Sequence, residues 1–328
     1  MKQKIKVNGL DLEINIETEG KSGQELLMVH GIPTNARLWR HVTALLKDRY
    51  KTYAMDMVGY GQSSMPLDDF EHTLTNQAEA IKEVIDGLGL KGKVILVAHD
   101  HGGGAAQVFA SKYCDYISRL ILINPVAWDY WPVLEVEAFN GLVDAPDDVL
   151  GTVVPQAVAQ FAQLMRTGSH DKIAFTDKNV KENYLCHWGR DGLTGFKSLV
   201  KVCSQPSNEE TMGVDHSKIT CPTAVFWALH DAWMPAESGR KLKEAFPNIK
   251  IHGVRPEIWP GIEGLKPLGS PEDIVPKIFD ESIVDEWIYI TADEAKHWCN
   301  KVAKNGLFVG QSSGSYIAAC MELMKKID

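Results

Sequence analysis

The stretch VILVAHDHGGGAAQVF, residues 94–109, decides how this chain is read. Five apolar residues lead into His99, Asp100 and His101, and then three glycines open a second apolar run. The first run is continuous rather than alternating, as in a strand buried on both faces of a parallel sheet. The small residues after it suit a sharp turn into a closely packed helix, the kind of turn that lifts a nucleophile to the end of a strand. An aspartate, not a serine, stands at its tip. The plainer reading of Asp100 is a carboxylate capping a helix N-terminus.

Further strands and helices alternate on both sides of this turn. ELLMVHG (25–31), KTYAMDM (51–57) and SRLILINP (118–125) read as strands, and residues 74–88 space their apolar side chains as a helix does. That rhythm implies βαβ units and an α/β fold with a mostly parallel sheet flanked by helices. From 127 to 217 the pattern is helical and rich in aromatic residues, as expected of a lid over the carboxyl edge of the sheet. PTAVFWALHD (222–231), SGRKLKEAF (238–246) and NIKIHGV (248–254) resume the alternation. The expected divisions are therefore 1–126 and 218–252 for the core, 127–217 for the lid, and 253–328 as a segment of different character.

The net charge of −9, without a basic run, argues against a nucleic-acid partner. No apolar run is long enough to cross a bilayer, and the first residues alternate like a strand instead of forming a signal-peptide core. Six scattered cysteines fit reduced, buried thiols and a cytoplasmic setting. A small molecule is the expected partner, no metal or other cofactor is expected, and the oligomeric state is left open.

With these elements in order, residues 1 to about 250 resemble the α/β-hydrolase superfamily, nearest to its haloalkane and haloacetate dehalogenases and epoxide hydrolases. HGIPTNARLW (30–39) is similar to the family's oxyanion loop, DMVGYGQSS (56–64) to the turn after its next strand, and AHDHGG (98–103) to its nucleophile elbow. The resemblance implies that Asp100 attacks a saturated carbon and forms an ester, which a histidine-activated water then hydrolyses. A serine would form an ether there, which resists hydrolysis. Backbone N–H groups of His101 and Ile32 are the implied oxyanion donors.

Dehalogenases of this family usually carry tryptophan after the nucleophile and often asparagine after the His-Gly; here those positions hold His101 and Ile32. Halide donors would then come from the lid, from Trp128, Trp131, His187 or Trp188. For an epoxide the lid offers the tyrosines Tyr130 and Tyr184. The alternative for each is ordinary lid packing. The implied acid is Asp231, in the Asp-x-x-x-Pro turn after PTAVFWALH; Asn124, at the other position the family uses, is neutral, although Asp129 lies nearby. The family's Gly-His after the last strand is missing, because RPEIWPG (255–261) contains no histidine. His252 is the nearest replacement for the base. Without a base the ester would persist, and the chain would be a binding protein on a hydrolase scaffold.

From Gly253 onward, GVRPEIWPGIEGLKPLG, DESIVDEWIYITADEA and GLFVGQSSGS resemble the C-terminal part of the cysteine synthases, which are pyridoxal-phosphate enzymes of fold type II. That resemblance places Ser312 or Ser313 near the pyridine nitrogen of the cofactor. The lysine motif and the phosphate loop of that family are absent, so the segment alone cannot make such an enzyme. GQSSG (310–314) also fits a serine elbow, but no histidine follows it. The chain thus reads as a chimera of two families.

Overall fold

The computed structural model describes residues 1–168, 177–189, 192–228, 231, 233–246, 252–256, 286–304, 315 and 317–323. The two alternating segments at the start form β1 (Lys2–Val7) and β2 (Leu10–Glu19), each burying one face. The continuous apolar runs form β3 (Gln24–Val29), β4 (Tyr50–Met55), β5 (Val94–His99) and β6 (Ile117–Pro125), and β7 (Thr223–Phe226) follows much later. Together they make one sheet in the order β1-β2-β4-β3-β5-β6-β7. The pairings of β1 with β2 and of β2 with β4 are antiparallel, and all the others are parallel.

Helices cover the sheet: α1 (Arg40–Leu46), α2 (Leu74–Leu88) and α3 (Asp100–Tyr113). In α2 the residues Leu74, Ala78, Ile81, Val84 and Ile85 recur at helical spacing and are all buried. Each large one contributes about 1.5–3 kcal/mol by leaving water. Thr73 caps the start of α2 by accepting the Asn76 N–H, and Gly89 ends the helix at φ +67°.

Between β6 and β7 the described residues hold helices and no strand: α4 (Leu134–Glu137), α5 (Asp147–Gly168), α6 (Asp177–Asn183), α7 (Thr194–Ser204) and α8 (Asn208–Met212). After β7 comes α9 (Ala236–Ala245). The carboxyl ends of β3, β5 and β7 lead into the loop 30–39, Asp100 and the turn at Asp231 respectively, and Asn124 is the last residue but one of β6. In open α/β sheets, ligands bind at that edge.

Contacts divide the chain into two units, Met1–Ile249 and Lys250–Asp328. In the second unit β8 (His252–Pro256) pairs in parallel with β9 (Glu286–Ile290) as a separate two-stranded sheet. The end of NIKIHGV therefore pairs with a strand of the tail. Thr291 and Glu294 form a capping box at the start of α10 (Ala292–Ala303). Ile288, Ile290, Ala295, Ala318 and Ala319 make a small core of their own.

Candidate active site

Asp100 occupies the junction of β5 and α3 at φ +53°, in the left-handed region that few side chains adopt. Its neighbours are small for steric reasons. A Cβ on Gly31 would lie 2.4 Å from the Asp100 Cβ, and one on Gly102 would lie 2.2 Å from the His30 carbonyl oxygen. Likewise, a Cβ on Gly103 would lie 2.5 Å from the Pro125 Cβ. The half-buried Asp100 carboxylate accepts the Ile32 N–H on Oδ1 at 2.8 Å, and the His101 backbone N–H also bonds to it. Burial raises its pKa above the usual carboxylate range. His99 and the two amides pull it down, and the charge of Asp231 pushes it up again.

The loop carrying Ile32 is held by buried polar groups. His30 donates Nδ1–H to the Gly31 carbonyl at 2.9 Å and accepts the Met57 N–H on Nε2 at 3.1 Å, which sets its tautomer. Burial brings its pKa down to about 4, so the ring is neutral at physiological pH. The buried Asp56 carboxylate accepts the Ala36 N–H at 2.6 Å, the Gln62 N–H at 2.7 Å and Asn15 Nδ2 at 3.0 Å. These bonds tie the loop 30–39 to the turn 56–64.

Asp231 Oδ1 accepts the Trp233 and Met234 N–H groups, both at 2.8 Å, and its Oδ2 accepts Asn124 Nδ2 at 2.8 Å. Asn124 in turn accepts the Ala228 N–H at 3.1 Å and has φ +39°. It is neutral, and its side-chain amide fixes the Asp231 carboxylate. No signal in the sequence reveals that role. Beside Asp100, His99 donates Nδ1–H to the Ile123 carbonyl at 2.8 Å. The side chain of His252, and residues Ser312 and Ser313, lie outside the described residues.

Among the lid candidates, Trp128 donates its indole N–H to the Ser238 carbonyl at 3.1 Å, and Trp188 donates to the Pro33 carbonyl at 3.2 Å. Tyr130 lies under Lys241, with Nζ 4.8 Å from its ring centroid. The hydroxyl of Tyr184 accepts from Arg40 Nη1, and His187 is half-buried in the turn Leu185–Gly189. Trp131 is buried and stacks on His101 at 5.6 Å between ring centroids. The sequence reading passes over Tyr60, whose hydroxyl lies 2.7 Å from His101 Nδ1.

A strand-to-helix turn with its tip at positive φ, an aspartate-centred turn after β7 and a helical insertion between β6 and β7 are the arrangement of an α/β hydrolase. Residues 25–256 match the model of the family described as alpha/beta hydrolase fold. The chain belongs to that family. It is 31% identical over 257 residues to human epoxide hydrolase 4, an alignment covering 73% of this chain and 68% of that protein. Epoxide hydrolase CorEH, a solved structure, superposes with a TM-score of 0.61 at 20% identity, covering 76% of this chain and 88% of that one. A cysteine synthase of Aquifex aeolicus is 42% identical over 92 residues, 27% of this chain and 28% of that protein.

Proposed function

We propose that this hydrolase acts through an aspartyl ester on a small epoxide or alkyl halide. Asp100 Oδ1 is engaged by Ile32, so Oδ2 is the attacking atom. A C–O bond forms to the electrophilic carbon, the carbon's bond to halogen or to epoxide oxygen breaks, and the electron pair leaves with that atom. Water, giving a proton to the base, then adds to the carboxyl carbon of the ester, and the charge that develops on Oδ1 meets the amides of Ile32 and His101. Collapse breaks the bond from that carbon to Oδ2, which leaves with the alkyl group as an alcohol, taking back the proton. The carboxylate is restored with the water's oxygen. Asp231 is the acid of this reading, and His252 remains the sequence's candidate for the base. The observation that carries this reading is the Ile32 N–H at 2.8 Å from a carboxylate at the elbow tip. In the same reading, residues from 253 onward are a cysteine-synthase-like segment joined to the hydrolase, supported by their motifs and by the partial identity to that enzyme. That segment supplies no pyridoxal phosphate, and purified protein is expected to be colourless.

The test is intact-protein mass spectrometry after incubation with simple epoxides, bromoalkanes and bromoacetate, with diol and halide release followed in the same samples. Turnover that Asp100→Ala abolishes supports the full cycle. A stable mass increase without turnover, absent in Asp100→Ala, means a live nucleophile with no working base. Neither adduct nor product with any substrate overturns the assignment of Asp100.

A further inference from the structure

Cys114 and Cys221 stand 107 residues apart in the chain and meet in the fold. Cys114 opens the turn Cys114–Tyr116 that precedes β6, and Cys221 lies just before β7. Parallel pairing of β6 with β7, with Leu120 opposite Thr223, brings the two approaches together at the amino edge of the sheet. The Cys221 backbone N–H donates to Cys114 Sγ at 3.2 Å, and the Thr220 hydroxyl donates to the same sulfur at 3.8 Å. A backbone contact of that kind holds the two Cα atoms within about 7 Å, the span a disulfide can bridge. Both cysteines are free thiols.

The two sulfurs differ in access. Cys114 is half-buried between the exposed residues Asp115 and Thr220, whereas Cys221 is buried. Cys114 is therefore the sulfur that meets a solute first, and Cys221 is the second thiol waiting beside it. Burial and the neighbouring Cys114 sulfur push the Cys221 thiol up to about 12, so it stays protonated while Cys114 is reduced. The share owed to Cys114 ends once that sulfur becomes a neutral sulfenic acid. The strand that follows Cys221 has reason to be fastened. β7 stands at the end of the sheet order and pairs with β6 from Thr223 to Phe226, and its carboxyl end leads to the turn at Asp231.

We propose that Cys114 and Cys221 are a modification site for hydroperoxides, which convert the pair to a reversible disulfide that pins β7 to the turn between α3 and β6. Cys114, as its thiolate, attacks one oxygen of the peroxide. An S–O bond forms, the O–O bond breaks, and its electron pair leaves on the other oxygen, which takes up a proton. Sulfur loses two electrons and becomes the sulfenic acid, while the peroxide is reduced to an alcohol or to water. Cys221 Sγ then attacks the sulfenic sulfur. The S–S bond forms, the S–O bond breaks, and hydroxide leaves with the Cys221 proton as water. A dithiol reverses the bond by exchange through a mixed disulfide. The cross-link restricts the unfolded chain over a long loop and so stabilises the native state. It forms at the opposite edge of the sheet from Asp100 and is independent of what Asp100 does.

The experiment treats reduced, full-length protein with one equivalent of hydrogen peroxide at pH 7, alkylates the remaining thiols, and maps the peptides by mass spectrometry without reductant. A Cys114–Cys221 cross-linked pair, a loss of about 2 Da for the two thiol hydrogens, and full reversal by dithiothreitol are expected. Cys221→Ser should stop at a sulfenic acid on Cys114, captured by dimedone, and Cys114→Ser should leave Cys221 unoxidised. Oxidation should raise the melting temperature by roughly 10 °C, a rise that Cys221→Ser does not show. Should either serine variant misfold, the peptide map of unsubstituted protein still decides. No reaction at either thiol, a cross-link between other cysteines, or Cys114 carried to sulfinic acid with Cys221 still free overturns the proposal. So does a pair that forms only in denaturant, or a cross-link that leaves the melting temperature unchanged.

Discussion

Asp100 combines two costs in one residue: a left-handed backbone at φ +53° and a carboxylate drawn partly out of water. Its pKa in the fold is raised above the unfolded value, so ionisation at neutral pH works against folding. A group of that sign stabilises the native state only below its unfolded pKa, and the contribution is lost as pH rises through the folded pKa. Asp100→Asn keeps the shape and an oxygen for the Ile32 N–H while removing the charge. It is expected to abolish alkylation and to raise the melting temperature by roughly 2–4 °C, the shift about 1 kcal/mol gives in a domain of this size. A calorimetric scan at pH 7 checks this; a lower melting temperature would show that the carboxylate contributes more than its burial costs. At this scale the sequence is legible for residue types and silent on their partners. Asp100 and Asp231 stand out because their motifs surround them. Tyr60 sits inside a quoted motif, yet nothing local says that its hydroxyl meets His101, 41 residues away. Asn124 is legible as a non-acid but not as the donor that holds Asp231.

The turn from β5 into α3 works because the backbone of the loop 30–39 approaches it closely. Gly102→Ala would force its Cβ against the His30 carbonyl, a backbone atom that cannot move without displacing the loop carrying Ile32. A loss of about 1–3 kcal/mol is expected from the overpacking, with a fall in Asp100 alkylation as the Ile32 amide shifts. Gly151→Ala in α5 is the control, because nothing lies within 4 Å of the added Cβ and the helix gains up to about 1 kcal/mol in propensity. Urea unfolding of both variants separates the cases; similar stabilities would mean that the elbow relaxes freely. The continuous apolar runs make the parallel strands readable in advance, since only a sheet covered on both faces tolerates them. Periodicity says less about β8. It marks a strand there, but its partner, Glu286–Ile290, lies some thirty residues further on, and only the pairing decides which sheet it joins.

Across the whole molecule, contacts divide the chain after Ile249. What sequence does not reveal is how many histidines of the first unit are buried neutral. Burial lowers His30, His72 and His216 to about 4 and His101 to about 3. In the unfolded chain each titrates near 6.5, so between about pH 6.5 and 4 the unfolded state binds more protons than the native state. Stability therefore rises with pH across that window and falls as the solution is acidified through it. Each neutral histidine contributes a slope that approaches about 1.4 kcal/mol per pH unit once the unfolded ring is fully protonated. Several acting together rival a typical total stability of about 5–15 kcal/mol within two pH units. Chemical denaturation of the full chain at pH 7, 6 and 5 is expected to show a loss over both steps, the second a little under twice the first. His72→Gln should flatten the acid limb, because one proton acceptor of the unfolded state is gone. Equal stability at pH 7 and 5 would mean that these rings take up protons in the native state.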